Sequence, residues 1–225
     1  MIRFVAAAAL LLSLASCMKG SDLGNQDSQP YTAIQRDTVR TGGQLWGINV
    51  GQSAQDVYST LQAIRADKQI SYLGIVGNVY SDLAELENKI PLYNSIFMDE
   101  TTGTSNGIQV GFEAEKIKVI YMNNGTPLTK WPGINEYANG LSIGDSVTTI
   151  YDKLVGIKSL SVYANKLQRL SLFDKNLSKD YDPGIASSTQ WQIVTAAVNK
   201  RWQLLELNFT GGSLVSIYYT LNENN

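Results

Sequence analysis

Gly47-Ile48-Asn49-Val50-Gly51-Gln52-Ser53-Ala54-Gln55-Asp56-Val57-Tyr58-Ser59-Thr60-Leu61 returns as Gly140-Leu141-Ser142-Ile143-Gly144-Asp145-Ser146-Val147-Thr148-Thr149-Ile150-Tyr151-Asp152-Lys153-Leu154, an offset of 93 (140 − 47). Both copies keep the two glycines, the serine, the tyrosine and the final leucine, so the stretch reads as an internal repeat. Gly51 and Gly144 permit a tight turn into Ser53 and Ser146, each placed to cap a helix; Asp56, three residues after Ser53, completes a pair resembling a capping box. Ala54, Val57, Tyr58, Leu61 and Ile64 then follow helical spacing, as do Val147, Ile150, Tyr151, Leu154 and Ile157. One apolar stripe per helix calls for a sheet beneath it.

A second echo supplies strands. Val110-Gly111-Phe112, four residues, and Ile117-Lys118-Val119-Ile120-Tyr121 match Leu207-Asn208-Phe209, four residues, and Leu214-Val215-Ser216-Ile217-Tyr218. Each reads as a β-hairpin closed by a four-residue loop, Glu113 to Lys116 or Thr210 to Ser213. Residues 95–99 and 190–198 suit further strands. Residues 70–87 and 158–172 fit a second helix or another strand, with the helix preferred. The expectation is an α+β chain of two tandem repeats, each with one or more helices packed on an antiparallel β-sheet, over residues 45–135 and 136–225.

Working outward to the N-terminus, Met1-Ile2-Arg3, an apolar run from Phe4 to Leu12, and Ser13-Leu14-Ala15-Ser16-Cys17 read as a secretory signal over residues 1–16. The apolar run is too short for a span that needs about 20 residues. Residues 17–44, polar and rich in turn formers, read as a flexible linker. Leu14-Ala15-Ser16-Cys17 resembles a bacterial lipobox. That resemblance implies lipidation of the Cys17 sulfur, cleavage before it and palmitate-type acylation of the new amino terminus. The alternative, an ordinary cleavage site, leaves a free thiol in an oxidising compartment. Met18 stands where enteric inner-membrane lipoproteins carry a retention Asp, so the expected place is the outer membrane, on its periplasmic or surface face.

The tandem unit, opened by apolar-x-apolar-Gly-x-Ser, resembles the β-lactamase-inhibitor-protein-like fold, which is shared with small lipoproteins of the outer-membrane assembly machinery. Ser53 and Ser146 stand where that family usually has Thr, and Val57 and Ile150 take the place of its first buried helix residue. The family's inhibitors carry disulfides, and this chain, with one Cys, forms none internally.

Composition sets bounds on chemistry. Among 225 residues, 44% are hydrophobic and 17% charged, as in a globular protein. A net charge of −2 gives no general attraction for nucleic acid. With no His and a single Cys, His-based triads and Cys/His zinc sites are excluded. Asp174, Asn176, Ser178, Asp180 and Asp182 alternate as oxygen donors, but Lys179 and Ile185 stand where a calcium loop needs Gly and Glu, so the stretch reads as a solvated polar loop. Asp99 and Glu100 read as a strand end entering a turn, Glu113 and Glu115 as solvent-facing charges. Asp37-Thr38-Val39 resembles a bacterial O-glycosylation sequon. No catalytic residue, metal site or cofactor is expected.

The expected function is non-enzymatic: an outer-membrane lipoprotein that binds an envelope protein or acts as a scaffold, the alternative being an inhibitor of a secreted or periplasmic hydrolase. With hairpin partners counted across a four-residue loop, Leu205, Leu207, Phe209, Leu214 and Tyr218 go to the core. The opposite face then carries Trp202, Leu204, Val215, Ile217 and Tyr219, with Ile120 and Met122 in the first copy. That face is too apolar for idle surface and is the expected binding face, unless a sheet or helix covers it.

Overall fold

The computed structural model describes residues 31–40, 42–133 and 135–224. Counting strands of three or more residues, the order is β1 (Tyr31–Arg40), α1 (Ala54–Ile64), β2 (Ile70–Val76), β3 (Ser95–Asp99), β4 (Ile108–Glu113), β5 (Lys116–Met122), α2 (Ile150–Lys158), β6 (Arg169–Ser171), β7 (Gln190–Thr195), β8 (Arg201–Thr210) and β9 (Ser213–Asn224). Short 3-10 turns and two-residue strands join them.

The chain is mostly sheet, 43% strand against 21% helix of all kinds. The α+β expectation of helices packed on sheets in two tandem repeats is therefore corrected: among the described residues only two short α-helices form, of 11 and 9 residues. Local chemistry explains the shortfall. Ile70-Ser71-Tyr72-Leu73-Gly74-Ile75-Val76, part of the stretch where the sequence favours a second helix, is rich in β-branched and aromatic residues and forms β2. Past α2, residues 158–172 yield a 3-10 turn at Ala164–Leu167 and the short β6. Residues 31–40, within the stretch read as a linker, form the long β1.

Contacts divide the chain into two compact units, each drawn from separated segments. The first holds residues 81–87 and 96–170; of the described residues, the second holds 31–80, 88–95 and 171–224. In the second unit the strands run β1-β9-β8-β7-β2, all antiparallel. One face is dry: Leu73, Ile75, Trp191, Ile193, Leu205, Leu207, Leu214 and Ile217 are buried, and Ala54, Val57, Tyr58 and Leu61 of α1 are buried with them. Each such large apolar side chain contributes about 1.5–3 kcal/mol. In the first unit β6-β3-β4-β5 form the sheet, with Pro127–Leu128 at its edge. Ile96, Met98, Ile108, Val110, Ile117 and Ile120 are buried there, as are Ile150, Leu154 and Ile157 of α2.

The repeat is visible in backbone detail. Gly51 and Gly144 take φ of 98° and 89°, where glycine alone is unstrained. Ser53 caps α1 by accepting from the Asp56 N–H at 3.1 Å and donating to its carboxylate at 2.7 Å. Ser146 accepts from the Thr148 N–H and opens a 3-10 turn that runs into α2.

What the helix entries touch is exchanged between copies. In the second unit, Gly51 N–H donates to the Leu214 carbonyl, Leu214 N–H to Gln52, and Ala54 N–H to Gly212. In the first unit, Gly144 N–H donates to Ile117, Ile117 N–H to Asp145, and Val147 N–H to Glu115. The two sets are equivalent position by position. Each helix entry of one copy is thus hydrogen-bonded to the hairpin of the other.

Both hairpins close on two residues, which corrects the four-residue loops. Glu113 faces Lys116 across Ala114 and Glu115 (φ 47° and 62°), and Thr210 faces Ser213 across Gly211 and Gly212 (φ 56° and 77°). These are the positive φ values of the I′ turn, whose twist matches the strands. Each hairpin then skips one residue, Lys118 or Val215, at a bulge. A one-residue slip moves every later side chain to the other face.

Candidate functional site

The bulge decides where the expected binding residues lie. Beyond Val215, Ile217 stands opposite Leu207 and Tyr219 opposite Leu205, on the face that α1 covers. Ile217 is fully buried and Tyr219 half-buried. Beyond Lys118, Ile120 stands opposite Val110 and Met122 opposite Ile108; Ile120 is buried and Met122 half-buried. Val215 sits on the bulge, 42% exposed. Of the seven residues only Trp202 and Leu204 share the outer face of the five-stranded sheet. Cys17 lies outside the described residues.

Register assigns the rest of that outer face. Leu204 lies between Val194 and Thr220, Glu206 between Gln192 and Tyr218, and Val194 pairs with Tyr72. Leu204, Tyr218, Thr220 and Val194 are half-exposed. Side-chain bonds stiffen the sheet here: Gln190 donates to Asn208 at 3.1 Å, Asn208 to Ser216 at 3.1 Å, and Trp202 Nε1 to Asn224 at 3.0 Å. Burial pushes the Glu206 carboxyl above its ordinary range, opposed by a hydrogen bond from Gln192. The result is a rigid strip of mixed aromatic, aliphatic and polar side chains.

Beside it, Gly74 of β2 bridges to Asp174. The Tyr72 ring folds over Gly74, its hydroxyl lying 2.8 Å from where a Cβ would stand, with Phe173 next to it. That hydroxyl is buried with no hydrogen-bond partner. Desolvation pushes Asp174 up to about 7, and one hydrogen bond from Asn94 at 3.2 Å only partly offsets it.

On the other side of this segment, Lys175 enters the core and is 1% exposed. Its ammonium donates to Tyr58 Oη at 2.9 Å, the Leu92 carbonyl at 3.0 Å and the Asn176 carbonyl at 3.2 Å. Those bonds use its three protons. Desolvation lowers Lys175 to about 8, against the pull of Asp182 and Asp180. Asp182, 2% exposed, accepts from Tyr93 at 2.6 Å and from the Gly184 N–H at 2.9 Å. Asn78 donates to Tyr93 at 2.9 Å and accepts from Tyr80 at 2.9 Å, which accepts from Lys89 at 3.2 Å. Desolvation drives the Tyr58 and Tyr93 hydroxyls far above the ordinary range. These groups hold one another in one buried polar network.

The first unit has a polar network of its own. Asp99 accepts from the Glu100 and Thr104 N–H groups, the Thr104 hydroxyl and Asn123. Burial raises its carboxyl, but those bonds outweigh it and the net pKa is lowered. Lys166 reaches Glu100 at 2.5 Å and Asn106 at 2.6 Å. The network pins the loop after β3.

No family model, curated protein or solved structure matches the chain.

The polar core around Lys175 corrects the solvated-loop reading of residues 174–182. A partial signal lies in Leu177 and Tyr181, spaced by four: Leu177 is buried and Tyr181 packs against Tyr58. Among the described residues no cluster of three or more metal-ligating His, Cys, Asp or Glu side chains occurs, and no helix is long and apolar enough to cross a membrane.

Proposed function

We propose that the protein is a lipid-tethered module of the bacterial envelope, held at the outer membrane through Cys17, that binds another envelope protein through the outer face of its five-stranded sheet. The supporting observation is the strip of Leu204, Tyr218 and Thr220, half-exposed on a sheet whose other face is a dry core. Aromatic side chains on a rigid support lose little entropy on binding. Lys175, with all three protons donated, and Asp99, accepting four hydrogen bonds, are held in structural roles, which favours binding over catalysis.

The test replaces Leu204 with Lys and Tyr218 with Ser together in the full-length, processed protein. Both positions are half-exposed, so the fold should persist, read by an unchanged far-UV circular dichroism spectrum. Proteins retained by the wild type from detergent-solubilised envelopes should be lost from the variant. Identical retention by both proteins would refute the reading.

A further inference from the structure

The end of the five-stranded sheet from which the chain leads back to Cys17 has a surface chemistry of its own. Tyr31, the first residue of β1, pairs with Asn224, and Asn224 N–H donates to the Lys200 carbonyl. The β7–β8 turn therefore lies at this end. Val198 and Arg201 exchange backbone hydrogen bonds across Asn199 and Lys200, with φ of 50° and 68°, so the turn projects as a tight tip. Val198 is 51% exposed at that tip and Tyr31 57% exposed beside it. The Tyr31 ring packs edge-on against Trp202, centroids 5.2 Å apart. The turn after α1 reaches the same end, since Thr195 pairs with Ile70 and Ala196 N–H donates to Gln69. The charges gathered here are Arg65, Lys68, Lys200 and Arg201 against Asp67 and Glu223, an excess of cations. Asp67 pairs with Lys68 at 2.7 Å and Glu223 with Arg201 at 3.3 Å.

We propose that this end rests on the lipid surface, with the Tyr31–Trp202 pair and Val198 at headgroup depth and Lys200 and Arg201 against anionic phosphates. Tyrosine and tryptophan favour the membrane–water boundary, having an apolar ring and a polar tip, and cations beside them favour anionic lipid. The occupant follows from where the chain goes. Thirteen residues lie between Cys17 and Tyr31, and the fourteen steps (31 − 17) span at most roughly 50 Å even fully extended, so the tether keeps this end within that distance of the bilayer, and the excess of cations here matches an anionic surface. The inference rests on the proposed lipid tether. A surface contact adds a second, weaker attachment to that anchor and fixes which way the outer face looks.

The acylated full-length protein is reconstituted into vesicles of phosphatidylglycerol and phosphatidylcholine brominated near the headgroup, and two readings are taken. Flotation with the vesicles reports the tether, and quenching of tryptophan emission reports contact. The wild type should float and be quenched. Trp202→Phe should float and lose most of the quenching. Lys200→Glu with Arg201→Glu, on an exposed tip, should float, melt as the wild type does and also lose the quenching. Equal fractional quenching in all three floating proteins would overturn the docking while leaving the tether standing. A wild type that does not float removes both.

Discussion

Replacing Asp174 with Asn isolates the cost of keeping a poorly solvated, half-buried carboxylate beside β2 of the second unit. Desolvation raises that carboxyl from 3.8 to about 7, so the folded state holds its proton more tightly than the unfolded chain. The stability this contributes is complete below pH 3.8 and is lost as the pH rises through about 7. A shift of about three units, at about 1.4 kcal/mol each, sets a ceiling of about 4 kcal/mol. Asparagine keeps the acceptor for Asn94 and carries no charge. The variant should match the wild type below pH 3.8, gain on it through the titration and hold a constant advantage above about 7. Urea unfolding followed by tryptophan emission across that range measures the difference. Glu206, also raised, titrates in both proteins and largely cancels. An advantage that is absent, or that does not change with pH, would refute the claim that Asp174 is ionised at the expense of the fold.

Two further outcomes follow from the backbone. A Cβ on Gly140 would stand 2.7 Å from the Trp131 carbonyl oxygen and 2.8 Å from that of Pro132, so Gly140→Ala should cost about 1–3 kcal/mol through overpacking; Gly144→Ala, with open space but φ of 89°, should cost about 1 kcal/mol, and thermal melts of the pair should rank in that order. Because each helix entry bonds to the other copy's hairpin, the fragments 45–135 and 136–225 should each lack a cooperative melt and regain near-UV circular dichroism when mixed; a cooperative melt from either alone would contradict the exchange.

How far the residues spoke for themselves depends on how local the deciding physics is. The turn glycines and capping serines act through neighbouring atoms, and Gly51, Ser53, Gly144 and Ser146 read correctly from the repeat. The bulges at Lys118 and Val215 depend on how a two-residue turn meets twisted strands. Spacing alone carries no mark of that, and the miscount exchanged Tyr218 with Ile217 and Tyr219 between faces. Lys175 was illegible for another reason. Its burial depends on Tyr58 and Leu92, 117 and 83 residues away, and without those carriers of hydrogen-bond acceptors a lysine reads as solvent-facing.

The pairing of β1 with β9 also bears on the order in which the chain can be completed during synthesis, which runs from the N-terminus. The first unit has all its segments once residue 170 has emerged, whereas the second waits for β8 and β9. Until then β1, β2 and α1 have neither the central strands nor the hairpin that receives Gly51 and Ala54. Their apolar side chains and unpaired strand edges stand open for the whole interval, the state in which chains aggregate. A chaperone that shields early segments would therefore matter most for residues 31–80, although the last to arrive are residues 201–224.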